Sequence, residues 1–149
     1  MKVINRMQSK HFRHYVMDRW TDGKYHVFIR YYGKYNDKRR RCYAFKTNWS
    51  ALKPFARYNH EEVTVNNQRL TGQYSVKQQD NTIIVNIDQS IPFETEVTIH
   101  FVFDIVHRAP AGTKLSNQAA LQIFNPRNHA VFDVYSNLAS ITKPIKQAN

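Results

Sequence analysis

"ETEVTIHFVFD", residues 94–104, decides the fold, because Val97, Ile99, Phe101 and Phe103 alternate there with Thr98, His100, Val102 and Asp104. That is the period of a strand with one buried face; a helix would scatter the same four apolar residues around its axis. Just upstream, "NTIIVNID" (81–88) repeats the pattern with Ile83, Val85 and Ile87. "EEVTVNNQRLTGQYSVKQQDN" (61–81) reads as short strands broken by polar turns at Asn66–Asn67, Thr71–Gly72 and 78–81. Residues 62–105 are therefore expected to run as an antiparallel meander. Further upstream, Thr21-Asp22-Gly23 separates two β-rich segments within residues 11–32. This predicts a hairpin in which Gly23 supplies a positive φ.

Working outward, "NWSALKPFARYN" (48–59) is interrupted by Pro54 and predicts a crossing between sheets through one helical turn. Residues 118–124, "QAALQIF", are the best helix candidate, with Ser116 or Asn117 as cap and Pro126 as stop; a strand at Leu121–Phe124 is the alternative. A last strand is expected in "AVFDVYS" (130–136), with a frayed tail at 136–149. About eight strands at this spacing imply an all-β, mainly antiparallel fold: a two-sheet sandwich, jelly roll or partly closed barrel with at most one or two short helices. At 149 residues the chain is expected to form one domain, with a basic aromatic-rich part (1–60), a neutral meander (61–135) and the tail. The single cysteine, Cys42, cannot form an internal disulfide, so packing must carry the stability.

Charge is unevenly spread. Residues 1–60 hold 15 of the 22 Lys and Arg against three acids, a net +12, whereas residues 61–149 hold seven bases against eight acids, a net −1. Thirteen of the 20 Phe, Tyr and Trp also fall within the first 60 residues. Such asymmetry speaks of partners: nucleic acid or another polyanion, an acidic protein, or an anionic membrane surface. It is densest in "KYHVFIRYYGKYNDKRRRCYAF" (24–45), where seven Lys or Arg and seven aromatic residues share 22 positions. On a strand over 24–32, Tyr25, Val27, Ile29 and Tyr31 share one face and suit a core. Lys24, His26, Phe28, Arg30 and Tyr32 share the other, alternating cations with rings. If the segment returning through Lys38, Arg39, Arg40, Arg41 and Tyr43 pairs with it across the 33–37 loop, a surface containing Phe28, Arg30, Tyr32, Arg41 and Tyr43 results. Bases would stack on its rings while its cations neutralise phosphates. "RRRCYAF" (39–45) resembles the aromatic strand of RNA-recognition-motif domains, but there a helix separates the two central strands. Only a hairpin loop fits between them here, and the resemblance is set aside.

Other chemistries have less support. His11, His14 and His26 lack the cysteine pairs or HExxH spacing of zinc sites, so no metal and no cofactor is expected. His60-Glu61-Glu62 and the set His100, His107, Arg108 and His129 are types that a metal-independent nuclease uses as base, acid and phosphate clamp. Four glycines without a phosphate loop exclude P-loop nucleotide hydrolysis. The first 20 residues carry charges throughout, with no apolar run suited to a signal peptide or a membrane span. The expectation is a non-enzymatic β domain that binds nucleic acid, single strands by preference, in the cytoplasm or a virion, not inserted in a membrane and able to form homo-oligomers. It would be a structural subunit of a virus or mobile element. A small nuclease or toxin, and an interaction module docking an acidic protein, are the alternatives.

Overall fold

The computed structural model describes residues 12–21, 23–33, 41–91, 95–124 and 131–143. Ten strands follow in order: β1 Phe12–Thr21, β2 Lys24–Gly33, β3 Arg41–Asn48, β4 Ala56–Val65, β5 Gln68–Arg69, β6 Tyr74–Gln79, β7 Thr82–Ile91, β8 Glu96–Ile105, β9 Lys114–Phe124 and β10 Val131–Thr142. They form two antiparallel five-stranded sheets, ordered β1-β2-β8-β4-β5 and β10-β9-β3-β7-β6. The described residues contain no helix, and the sheets face each other as a sandwich.

The alternation in 94–104 does what its period dictates. β8 lies between β2 and β4, and Val97, Ile99, Phe101 and Phe103 are fully buried. Tyr25, Val27, Ile29 and Tyr31 of β2 join them from the first sheet. The second sheet contributes Phe45, Ile83, Val85, Leu115 and Leu121. Burial of these large side chains is the main favourable term in folding. The turns use the residues expected of them: Gly23 closes β1–β2 at φ 75°, Asn66 and Asn67 close β4–β5 at 50° and 65°, and Asp80 closes β6–β7 at 55°.

Several expectations are corrected. Residues 118–124 belong to β9, not to a helix. Leu115, Asn117, Ala119, Leu121 and Ile123 are buried in alternation with half-exposed neighbours, and Asn117 turns inward to accept a hydrogen bond from Thr47 Oγ1 at 2.5 Å instead of capping a helix. Residues 62–105 are not one meander: β4–β5 lies in the first sheet, β6–β7 in the second, and β8 returns to the first. The last strand continues to Thr142, and residues 138–142 are paired with β9 where a frayed tail was expected. The crossing foreseen at 48–59 does carry the chain from β3 to β4, through a turn in which the amides of Lys53 and Ala56 bond to the carbonyls of Trp49 and Leu52.

The two sheets also meet along their β1 and β10 edges. The β9–β10 register shifts between Tyr135 and Leu138, and Ser136 Oγ accepts from the amide of Ala119 at 2.9 Å. This irregularity frees Asn137 to bracket Val16, whose amide donates to Asn137 Oδ1 at 2.8 Å and whose carbonyl accepts from Asn137 Nδ2 at 3.0 Å. A side-chain amide thus replaces a missing strand neighbour for an edge residue.

Candidate functional site

The outer face of the first sheet carries the densest array of ionisable and aromatic side chains. β2 turns Lys24, His26, Phe28, Arg30 and Tyr32 outward, as the alternation predicts, because the interleaved residues fill the core. Strand pairing adds Arg19 beside His26, Met17 and His100 on either side of Phe28, and Glu62 beyond His100. At the centre, Phe28 stacks on His100 with ring centroids 4.2 Å apart and planes at 14°. His26 Nδ1 lies 2.9 Å from His100 Nε2, a hydrogen bond in which one ring donates and the other accepts. Such a bond requires that at least one of the two be neutral. Burial lowers both pKa values; Arg19, Lys24 and His60 push His26 further down and His26 does the same to His100, while Glu62 acts in the opposite sense on His100.

Around this centre the charges are partly paired. Asp104 accepts from Lys24 Nζ at 2.6 Å and from Asn59 Nδ2 at 3.0 Å, with Arg57 at 3.7 Å, and these contacts hold its carboxyl below the ordinary range. Arg30 meets Glu96 at 3.9 Å. These exposed pairs orient side chains more than they stabilise the fold.

The predicted site is only half assembled. Lys24, His26, Phe28, Arg30 and Tyr32 come together. Lys38, Arg39 and Arg40 lie outside the described residues, and Arg41 opens β3 in the other sheet. Tyr43 is buried, edge-on to Tyr31 at 5.3 Å. β2 and β3 do not form a hairpin, so the surface expected to join Phe28 and Tyr32 with Arg41 and Tyr43 does not exist. The histidine groupings separate as well. His14 is buried between the sheets with Nδ1 at 3.1 Å from the Val134 carbonyl, whereas His26 faces out. His100 is mid-strand while His107 and Arg108 sit in the exposed segment past β8, and His11 and His129 fall outside the described residues. Among the described residues no three His, Cys, Asp or Glu are grouped to hold a metal.

Sequence reasoning missed the contribution of β1. Arg13, Tyr15, Met17 and Arg19 share its outer face, and their alternation with His14, Val16 and Asp18 was the available signal. It also missed a cleft of about 560 Å³ between the last residues of β1 and of β10, lined by Asp18, Trp20, Ile141 and Lys143 among others. Asp18 accepts there from the Tyr25 hydroxyl at 2.6 Å, and burial raises its pKa.

No protein-family model matches the sequence, and no curated protein sequence matches it. Solved structures do share its fold. BcpA, the major pilin subunit of Bacillus cereus, superposes with a TM-score of 0.64 at 11% identity over 89% of this chain and 39% of that one. The 35 kDa C-terminal fragment of a major pilin of Streptococcus agalactiae gives 0.67 at 9% identity over 91% of this chain and 57% of the fragment. The collagen binding subdomain of the Enterococcus faecalis surface protein ACE gives 0.56 at 9% identity over 89% of this chain and 97% of the subdomain. The chain thus spans about two fifths of the length of BcpA. These likenesses correct the expectation of a nucleic-acid-binding, viral or mobile-element subunit, and the cytoplasmic or virion setting drops with it. Among the described residues no helix is long and apolar enough to cross a membrane. At these identities the likeness is one of architecture: a two-sheet sandwich shared with domains of pilins and of a collagen binding surface protein.

Proposed function

We propose that the chain is a structural or adhesive domain of a cell-surface fibre or adhesin, a β-sandwich that assembles with other protein rather than catalysing a reaction. The observation that carries this reading is the superposition over about nine tenths of the chain on pilin domains and on nearly the whole of a collagen binding subdomain. In that setting the outer face of the first sheet supplies side chains suited to protein contact: rings, histidines and arginines on a rigid sheet. The experiment is immunolabelling of intact source cells with antibody raised against this chain, compared with permeabilised cells. Labelling of intact cells, together with recovery of the chain in high-mass assemblies, is expected. Label confined to permeabilised cells overturns the reading.

A further inference from the structure

Four of the five large hydrophobic side chains that stand exposed among the described residues gather where β1 meets β10: Tyr15, Met17, Tyr135 and Leu138, each 43–56% exposed. Their proximity follows from the clamp already described. Asn137 brackets Val16, so Tyr15 and Met17 flank the clamp on one strand while Tyr135 and Leu138 flank it on the other. Arg13 and Arg19 continue the outward row of β1 at both ends, and no carboxylate among the described residues lies within ion-pair distance of either. Met17 also faces Phe28 across the β1–β2 pair, which joins the seam to the ring stack of the first sheet. Isolated exposed hydrophobics are ordinary, but a group of Tyr, Met and Leu on the two sides of one clamp, with Arg at its rim, has the composition of an interface centre.

We propose that this seam is a docking surface for a protein partner that presents apolar side chains ringed by Asp and Glu. Charge selects the occupant. A second copy of this chain on a two-fold interface would set Arg13 and Arg19 against their own equivalents, on molecules that each carry a net +11. An acidic rim instead pairs both arginines while the apolar centre is buried. As a contact surface of the proposed fibre or adhesin domain the seam rests on that reading for its setting, but its test in solution does not depend on where the chain is displayed.

The test titrates the purified full chain with a fluorescein-labelled peptide carrying three Leu and one Trp among Glu residues, read by anisotropy at two salt concentrations. Binding that weakens with salt is expected. Met17→Glu, and independently Leu138→Glu, should weaken it by about tenfold or more, with thermal unfolding confirming that each variant is folded. Arg13→Glu with Arg19→Glu should abolish the salt dependence, while Lys77→Glu on β6, at the far edge of the other sheet, should leave binding unchanged. Four outcomes overturn the proposal. The first is equal affinity for a Glu peptide lacking Leu and Trp, which reports charge alone. The second is undiminished binding by the Met17→Glu and Leu138→Glu variants. The third is concentration-dependent dimerisation that Met17→Glu abolishes, which assigns the seam to a second copy. The fourth is no binding by the unaltered chain up to about 1 mM peptide.

Discussion

His14 shows how much one residue's environment outweighs its type. A histidine near other histidines invites a metal reading, yet its ring is edge-on to Tyr31 and Phe45 in the interior, and its Nε2 has no partner among the described residues. Burial lowers its pKa to about 4, against which the Val134 carbonyl is a smaller effect. An unfolded chain titrates this histidine near 6.5, so between that pH and 4 it binds more protons than the folded one. The stability due to neutral His14 is therefore complete above pH 6.5 and lost as pH falls toward 4, by about 3 kcal/mol. Urea titrations at pH 7.5, 5.5 and 4.5 should show that loss, and His14→Leu should flatten the profile by most of it. Asp18 acts in the opposite sense. Its raised pKa gives stability that is present in acid and declines as pH rises through the folded value. Two rings from the opening half of the chain form a second test. Tyr43→Ala should cost about 3–5 kcal/mol, as expected for an aromatic removed from a core. Phe28→Ala, on the outer face, should cost less than about 1 kcal/mol. Thermal or denaturant melts of the two variants separate these values.

At the scale of elements, the faces of strands were legible and their neighbours were not. Alternation assigned every residue of β2 to its side, because the period of two is a local property. Pairing is not local: Lys24 meets Asp104, 80 positions away, while β3, the next strand in sequence, joins the other sheet. Nothing within residues 24–45 distinguishes a hairpin from a crossover. For a related reason a helix was preferred over β9, and the strand alternative at Leu121–Phe124 caught only its last third. Asn117 and Ser116 are good caps, and the pairing of β9 with β3 and β10, with Asn117 turned inward onto Thr47, reveals the strand. The candidate surface on β2 was visible as a row, but its completion by His100 and by β1 required the sheet order. The Asn137 clamp offers an element-level prediction. Asn137→Ala leaves the Val16 amide and carbonyl without that partner and should destabilise the chain by about 1–3 kcal/mol. Hydrogen exchange should quicken first at the Val16 amide, before the core strands respond. Unchanged protection there would show that the seam does not depend on the clamp.

For the whole molecule, the charge asymmetry misled because a half of the sequence is not a half of the structure. The basic first 60 residues supply β1, β2 and the start of β4 to one sheet and β3 to the other, so their charge does not fall on a single continuous face. The same long-range connectivity makes slow folding the expectation, since distant strands must meet before either sheet is complete. It also bears on load. His14 lies against Val134 and Val16 against Asn137, while Trp20 and Thr21 line one cleft with Ile141 and Thr142. β1 and β10 therefore run in the same direction, so that β1 begins at one pole of the sandwich and β10 ends at the other. The ten residues of β1, at about 3.3 Å each, span roughly 33 Å between those poles. Tension applied through Phe12 and Thr142 would load in shear the hydrogen bonds that join β1 to β10 at His14 and Val16, so that these resist together rather than peeling one at a time. In single-molecule stretching, Asn137→Ala should lower the rupture force far more than Phe28→Ala does. Equal forces for the two variants would place the mechanical resistance elsewhere. In a sandwich threaded in this way, the hold of β1 on β10 under load would fall largely to one asparagine side chain and one histidine ring.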